Sequence, residues 1–489
     1  MRLKNKTGTA IDSLLLTFVR LVTASLGIII TKLLSTQFSL QEYGTYSQAN
    51  LIVATITSMT ILGLSDATNY FYNASIDEET KKKNIATIFG IQYIVGVVAA
   101  ILIMIFQIPI IRYFKNEELK NLMVFIAILP VFENILPMLQ VLFISIGQAK
   151  LIALRNFWVS VVRLLIIVVA CFVTKSIRTI FAILLVLDIV QVVIFMKQLS
   201  SRGVRIQLKY FSRQSVPMIL KFCIPMAIYV LVNSLNRDID KYIITYFTDT
   251  ETLGIYSNAA RLLPFDMIVA SFITVLIPII TRQIKQLDYE KAFLTLKIYL
   301  KLSYYTSWIF VVAAIINAER VMLLLYDKKY LAGLPVFIIY LLVDMFRLMG
   351  TTLVIVAKGK TKLLMRISLI VLGANFVFNI ISFLAMGVVG PAFTTLIVTI
   401  FLTVILLFIS AKELNNKFRK LWDWKELFVF SAELVGIAII FLKIDHILEY
   451  YINSPIVMLV ISAGAYISIL LLLNAKKIIK VMREINSVE

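Results

Sequence analysis

Histidine is almost missing: the 489-residue chain has one, His446, expected in a short loop, and only two cysteines, Cys171 and Cys223, both inside apolar stretches. That leaves little from which to build a zinc site or an imidazole-based catalyst. The two thiols read as buried groups, not as a disulfide. Charge is scarce as well: Asp, Glu, Lys and Arg make up 16% of the chain, where a soluble domain carries about 25%. No segment between apolar runs is long enough for an independent soluble domain. No glycine-rich phosphate loop ending in lysine occurs, so ATP hydrolysis by this chain is not expected. The basic start (Arg2, Lys4, Lys6) leads into a long apolar run without a small-residue cleavage site, so no cleavable signal peptide is expected.

What the chain does have is apolar length. Hydrophobic residues are 60% of it, in runs of about 18 residues or more, enough to cross a hydrocarbon core of about 30 Å. The reading is an all-α polytopic membrane protein of about 14 transmembrane helices: two pseudo-symmetric six-helix lobes plus two extra C-terminal helices. Span 1 is placed at 10–34, span 2 at 44–66, span 7 at 216–236, span 8 at 254–280 and span 10 at 332–357. Residues 1–200 form an N-lobe, 201–215 a cytoplasmic linker, 216–411 a C-lobe, and 412–489 the last two helices and a cytoplasmic tail.

The net charge of +20 fits a membrane topology better than a nucleic-acid partner. Its clusters, Lys81-Lys82-Lys83, Lys197 to Arg213, Lys358 to Arg366, Lys412 to Lys425 and Lys476 to Arg483, fall on the N-terminal side of the alternating spans. By the positive-inside rule both termini are cytoplasmic, and the basic loops face anionic lipid headgroups.

The two-lobe reading rests on an internal repeat. Tyr43-Gly44-Thr45-Tyr46-Ser47-Gln48-Ala49 is answered by Leu253-Gly254-Ile255-Tyr256-Ser257-Asn258-Ala259. Gly147-Gln148-Ala149-Lys150-Leu151-Ile152 is answered by Gly359-Lys360-Thr361-Lys362-Leu363-Leu364. A looser pair is Tyr113-Phe114-Lys115-Asn116-Glu117-Glu118-Leu119 and Leu325-Tyr326-Asp327-Lys328-Lys329-Tyr330-Leu331. Three pairs in one order imply two equivalent halves, the usual construction of alternating-access transporters. Pro225 and Pro264 in spans 7 and 8 are either ordinary kinks or bends used in opening and closing.

Several charges lie where hydrocarbon is expected. Arg20 sits in the middle of span 1, where a lipid-facing charge costs about 2.5–3.5 kcal/mol or more. It is either half of a structural ion pair within one lobe or part of the cationic wall of a water-filled cavity, and a guanidinium suits phosphate oxygens. Arg237, Asp238, Asp240 and Lys241 crowd the end of span 7, Arg261 and Asp266 lie in span 8, and Asp66 ends span 2. These residues are the candidate substrate-binding set of a central cavity; some of them are expected to pair with each other, Arg237 with Asp238 or Asp240 above all. Asp344 and Arg347, three apart in span 10, are expected to pair on one helix face. Glu133, Arg163 and Asp188 are expected to make contacts within the first lobe, and Lys221 and Lys301 to snorkel.

Taken in order, Ser39-Leu40-Gln41-Glu42-Tyr43-Gly44, Asn236-Arg237-Asp238-Ile239-Asp240-Lys241, Leu325 to Leu331 and Gly387-Val388-Val389-Gly390-Pro391-Ala392 make the chain resemble the Wzx-like polysaccharide flippases of the multidrug/oligosaccharidyl-lipid/polysaccharide exporter superfamily. The resemblance spans essentially the full length. It implies a bacterial cytoplasmic membrane protein, not an enzyme, that carries a polyprenyl-diphosphate-linked oligosaccharide across the membrane by alternating access for cell-surface polysaccharide synthesis. It also implies that cavity arginines engage the diphosphate, with Arg20 the best positional match and Arg237 and Arg261 candidates from the second lobe. From related lipid flippases, the last two helices would contribute a groove for the lipid tail. Membrane lipids, glycosyltransferases and a polysaccharide polymerase are the implied partners. No cofactor is expected; a coupling ion, Na+ or H+, has no marked site. The rival readings are an ion-coupled multidrug or cation antiporter, against which fourteen helices and a central arginine argue, and a membrane glycosyltransferase or polymerase, against which the short external loops argue.

Overall fold

A computed structural model describes residues 22–75, 77–261, 263, 266–349 and 352–488. Every regular element among them is helical. In chain order these are α1 (Val22–Gln37), α2 (Leu40–Thr60), α3 (Leu64–Ala74), α4 (Glu78–Ile105), α5 (Gln107–Phe114), α6 (Met123–Ser145), α7 (Ala149–Val169), α8 (Ile177–Ser201), α9 (Val216–Phe247) and α10 (Thr250–Ala259). There follow α11 (Asp266–Lys285), α12 (Tyr289–Ser303), α13 (Ile309–Ile316), α14 (Ala318–Leu325), α15 (Leu334–Arg347), α16 (Leu353–Ala357), α17 (Thr361–Met386), α18 (Val389–Glu413), α19 (Trp424–Leu448) and α20 (Pro455–Val488). Twelve segments among the described residues are long and apolar enough to cross a membrane, with α1 as a shorter apolar helix. Expected spans 1 and 8 are the two not among the twelve, and both run into residues outside the described set.

Two compact units divide the chain, Met1–Gly254 and Ile255–Glu489. The repeat and the packing thus draw different lines, since α9 belongs by contact with the first unit. In that unit, one apolar core gathers Ile52, Ile56, Leu119, Met123 and Ile126 from α2, α6 and the turn before α6. A second gathers Leu64, Ile88, Leu139 and Phe195, to which Ile219 and Cys223 of α9 contribute. In the second unit, Ile280, Leu296, Tyr299, Val354 and Leu407 form one core. Tyr304, Tyr305, Phe430, Leu434 and Tyr466 form another. The two extra C-terminal helices are therefore part of this unit's core: Phe430 and Tyr466 are fully buried, and the Tyr466 hydroxyl donates to the Leu434 carbonyl at 2.9 Å.

The structure corrects four sequence-based expectations. The charged stretch Asn236 to Lys241 does not end the helix of span 7, because α9 runs on to Phe247. At 1.5 Å per residue its 32 residues extend about 48 Å, well beyond a hydrocarbon core of about 30 Å. The charges thus fall near or past the apolar boundary while the helix continues. Span 2 is interrupted at Leu62 (φ 47°) and Gly63 (φ 67°), which separates α2 from α3. His446 lies in the last turn of α19, not in a loop. Lys301 pairs with Glu426 of α19, whose other oxygen accepts from the Tyr305 hydroxyl at 2.6 Å, so this lysine is tied inside the fold and does not simply snorkel.

Candidate functional site

The repeated Gly-Tyr motif has the same local structure in both copies. Gly44 and Gly254 each occupy the fifth position of their helix, α2 and α10. Each helix is opened by a side-chain cap three residues back: Ser39 Oγ accepts from the Glu42 N–H at 3.1 Å, and Asp249 Oδ1 accepts from the Thr252 N–H at 2.7 Å. Ser39 and Glu42 complete a reciprocal capping box. The other two repeat pairs also agree in backbone detail. Gly147 and Gly359 both take left-handed φ, 76° and 68°, a conformation that ends a helix without steric cost only at glycine. Asn116 and Asp327 each cap a short 3-10 turn, Glu117–Asn121 and Lys328–Gly333.

The two motif glycines meet. A Cβ at Gly254 would stand 3.1 Å from Gly44 Cα and N, and one at Gly44 would stand 2.8 Å from Thr250 Cγ2 and closer still to the Thr250 carbonyl oxygen. Absent side chains let α2 and α10 pack backbone to backbone. Beside this crossing lies a buried polar knot. Gln48 Nε2 donates to the Phe114 carbonyl at 3.1 Å and to Thr250 Oγ1 at 3.3 Å. Asn116 Nδ2 donates to Gln48 Oε1 at 2.7 Å and to Thr45 Oγ1 at 2.8 Å. All four side chains are almost wholly buried. In a low-dielectric setting such a network favours one arrangement, because each broken bond leaves an unsatisfied amide or hydroxyl.

The contact continues along α2 and α9. Thr55 Oγ1 and the Tyr242 hydroxyl share a hydrogen bond, Ser58 Oγ donates to Ser234 Oγ at 2.8 Å, and the Tyr113 hydroxyl donates to the Tyr242 carbonyl at 3.0 Å. On this stretch of α9 lie four of the candidate residues. Asp238 is 6% exposed; its Oδ1 takes the Lys241 Nζ at 2.6 Å and its Oδ2 faces Arg237 Nε at 3.4 Å. The Arg237 side chain is 59% exposed. Asp240 is buried, and its Oδ1 accepts from the Lys241 backbone N–H at 2.8 Å. Arg237, Asp238 and Lys241 are therefore brought together, as a row in which one carboxylate is shared by two cations.

The other candidates stand elsewhere. Asp66 is exposed on the first turn of α3, close enough to Cys223 to act on its thiol electrostatically. Cys223 precedes Arg237 by 14 positions on α9, roughly 20 Å along the axis. Asp66 and the α9 charge row thus lie at separate levels. Arg261 belongs to the second unit, exposed just after α10, where it faces Tyr326. Burial pushes the Tyr326 phenol up to about 12, with the Arg261 cation pulling the other way; its hydroxyl donates to the Asn258 carbonyl at 2.8 Å. Asp266 opens α11, and its side chain is outside the described residues. Arg20 and Pro264 are outside them too.

Two of the structural pairings expected from sequence are present. Arg347 meets Asp344 at 3.1 Å, and Glu133 Oε2 accepts from Thr57 Oγ1 of α2 at 2.9 Å. Sequence reading missed Arg155, which reaches Gln191, the residue that donates to Asp188 Oδ1 at 3.0 Å. It also missed Gln48, Asn116, Thr250 and Tyr242. Their only sequence signal was polar atoms at the ends of apolar runs, inside or beside the repeat motif.

This architecture, helical in every regular element described, is a fold shared with solved structures of a lipid flippase and of multidrug transporters. The lipid II flippase MurJ in an inward closed conformation superposes with a TM-score of 0.72 at 17% identity, covering 94% of this chain and 99% of its own. An inward-facing multidrug-resistance MATE transporter gives 0.65 at 13% identity, over 81% of this chain and 98% of its own. A superfamily transporter from Pyrococcus furiosus gives 0.54 at 13%, over 83% and 94%. No curated protein matches by sequence. The model of a family of polysaccharide biosynthesis proteins matches residues 29–335, and the chain belongs to that family.

Proposed function

We propose that the protein is a flippase that moves a polyprenyl-diphosphate-linked oligosaccharide across the bacterial cytoplasmic membrane by alternating access, in the synthesis of a cell-surface polysaccharide. The observation that carries the reading is membership of a polysaccharide biosynthesis family together with a fold match to a lipid flippase over nearly the whole chain. The MATE transporter accounts for less of it. Chemistry supports the same reading. A diphosphate sugar crossing alone would carry at least two charges and many hydroxyls into hydrocarbon. Cationic side chains, for which Arg20, Arg237 and Arg261 are the candidates, would replace their hydration while the polyprenyl tail stays in lipid. Na+ or H+ is the proposed coupling ion, and the diphosphate oligosaccharide the proposed ligand.

The test is a headgroup-accessibility assay in vesicles carrying purified protein and a polyprenyl-diphosphate oligosaccharide. Wild type should translocate it. Arg20→Ala and Arg261→Ala should express at wild-type level and lose most translocation. Wild-type protein that moves no lipid-linked sugar but exports organic cations against an ion gradient would replace this reading with the antiporter.

A further inference from the structure

At one end of the second unit, the end of α13, helix α14, the last turns of α19 and the start of α20 enclose a cavity of about 510 Å3. That volume is within the roughly 300–1,000 Å3 of small-molecule sites. Much of the wall is polar: Asn317, Arg320, Asp445, His446, Glu449 and Asn453. Apolar side chains are interleaved with these, Leu323 on α14 and Leu442 on α19, with Met458 on α20.

The polar wall is rigidly built. Arg320, only 12% exposed, gives one nitrogen to Asp445 Oδ2 at 2.6 Å and the other to Glu449 Oε1 at 2.7 Å. The first of these nitrogens also donates to Asn317 Oδ1 at 2.6 Å. Asn317 Nδ2 donates to Ser462 Oγ at 3.1 Å, and Ser462 Oγ to Asp445 Oδ2 at 2.7 Å. Ser462, one of the small residues of the last helix, is thus committed to this wall. Yet the other oxygen of the same carboxylate, Asp445 Oδ1, is buried with no hydrogen-bond partner, in a residue 4% exposed. A fixed acceptor of this kind calls for a donor.

Charge narrows the class of that donor. Glu319, Asp445 and Glu449 against the single guanidinium of Arg320 leave the wall net acidic, which disfavours phosphate, carboxylate and uronic acid groups. What matches an acidic, amide-rich lining interleaved with apolar side chains is a pyranose ring, with hydroxyl donors on its edge and C–H bonds on its face. The two tyrosines in the turn that follows Glu449, Tyr450 and Tyr451, are 86% and 74% exposed.

We propose that this cavity binds a neutral saccharide unit, with the Asp445 carboxylate accepting from its hydroxyls and Asn317 and Asn453 addressing its remaining polar edge. Assigning the sugar to a lipid-linked substrate rests on the flippase reading; the binding chemistry does not.

The test uses full-length protein in phospholipid nanodiscs free of glycoside detergent, titrated by saturation-transfer NMR with lactose and N,N′-diacetylchitobiose. Ethanolamine and inorganic phosphate serve as comparison probes. At least one neutral disaccharide should bind, and Asp445→Asn should weaken it about tenfold or more. Asn453→Leu, which lines the cavity outside the Arg320 network, should also weaken it and keeps the test valid if Asp445→Asn fails to fold. Presenting the same disaccharide on a polyprenyl diphosphate distinguishes the sources: competition with the free sugar assigns the site to the lipid-linked glycan, and its absence to free saccharide. Saccharide binding lost in the variants while translocation persists supports the site as separate from transport. Ethanolamine binding without saccharide binding, binding unchanged in both variants, or no saccharide binding by wild type would each overturn the proposal, whatever the translocation result.

Discussion

The crossing of the two repeat motifs makes a sharp prediction for Gly44→Ala. The added Cβ would sit 2.8 Å from Thr250 Cγ2, where 3.4 Å begins ordinary contact. Helices α2 and α10 must therefore part by at least about 0.6 Å, and more to clear the Thr250 carbonyl. The 3.3 Å bond from Gln48 Nε2 to Thr250 Oγ1 would then stretch to roughly 3.9 Å, beyond hydrogen-bonding range. Overpacking costs about 1–3 kcal/mol and a lost buried bond about 1 kcal/mol. The described state should lose about 2–4 kcal/mol relative to any state in which the helices are apart, a shift of roughly 30-fold to 1,000-fold in population. Hydrogen–deuterium exchange on the protein in nanodiscs reads this directly. Peptides covering residues 40–50 and 248–259 should exchange faster in Gly44→Ala than in wild type, with the rest of α6 and α12 unchanged. Gly254→Ala, whose Cβ meets Gly44 at 3.1 Å, should show the same effect more weakly. Gly436→Ala, with nothing within 4 Å of its Cβ, should show none. Wild-type exchange in both peptides of Gly44→Ala would refute the claim that this crossing is a tight contact.

The remaining predictions concern pairings. Asn116→Ala removes the donor to Gln48 and Thr45 and should lower stability by about 1–3 kcal/mol, seen as a lower thermal midpoint in nanodiscs. Lys241→Met leaves Asp238 with only the exposed Arg237; after allowance for the 21% exposure of Lys241 the loss should be about 1–2 kcal/mol, and the double change with Asp238→Asn should recover most of it. Glu426→Gln should loosen α19 from α12, read as faster exchange in residues 424–434, while Glu433→Gln, more exposed at the same helix, should do less. Asp288, which caps α12, is held below the ordinary carboxylate range by the Lys291 backbone N–H. Its contribution is complete above that ordinary range and is lost only as pH falls through the lowered value, so Asp288→Asn should leave the difference in thermal midpoint between pH 8 and pH 5 unchanged.

How far the sequence reached can be followed residue by residue. The caps at Ser39 and Asp249 and the left-handed backbone of Gly147 and Gly359 came from the structure; the repeat motifs and the apolar spans were legible because each is set by groups within a few positions of one another. The pairing of Asp344 with Arg347 was legible for the same reason, three residues being one turn of helix. The partner of Lys301 was not, since Glu426 is 125 residues away; nor was that of Arg320, since Asp445 is equally distant. Periodicity says which face of a helix is polar but not which helix it meets. The end of the helix that carries span 7 was misplaced because a run of charges resembles a helix end. Those charges in fact lie near the apolar boundary of a helix longer than the membrane is thick.

By itself the sequence determined that the chain lives in a membrane, that it is duplicated, and where most of its helices start and stop. These follow from hydropathy, spacing and capping, which act along the chain. Only tertiary packing decided that Gly44 touches Gly254, that Gln48, Asn116 and Thr250 form one buried knot, and that a single carboxylate, Asp238, serves two cations. Those facts depend on helices far apart in sequence coming within a side chain's reach, and the short-range forces that write a sequence pattern do not specify which helices do so.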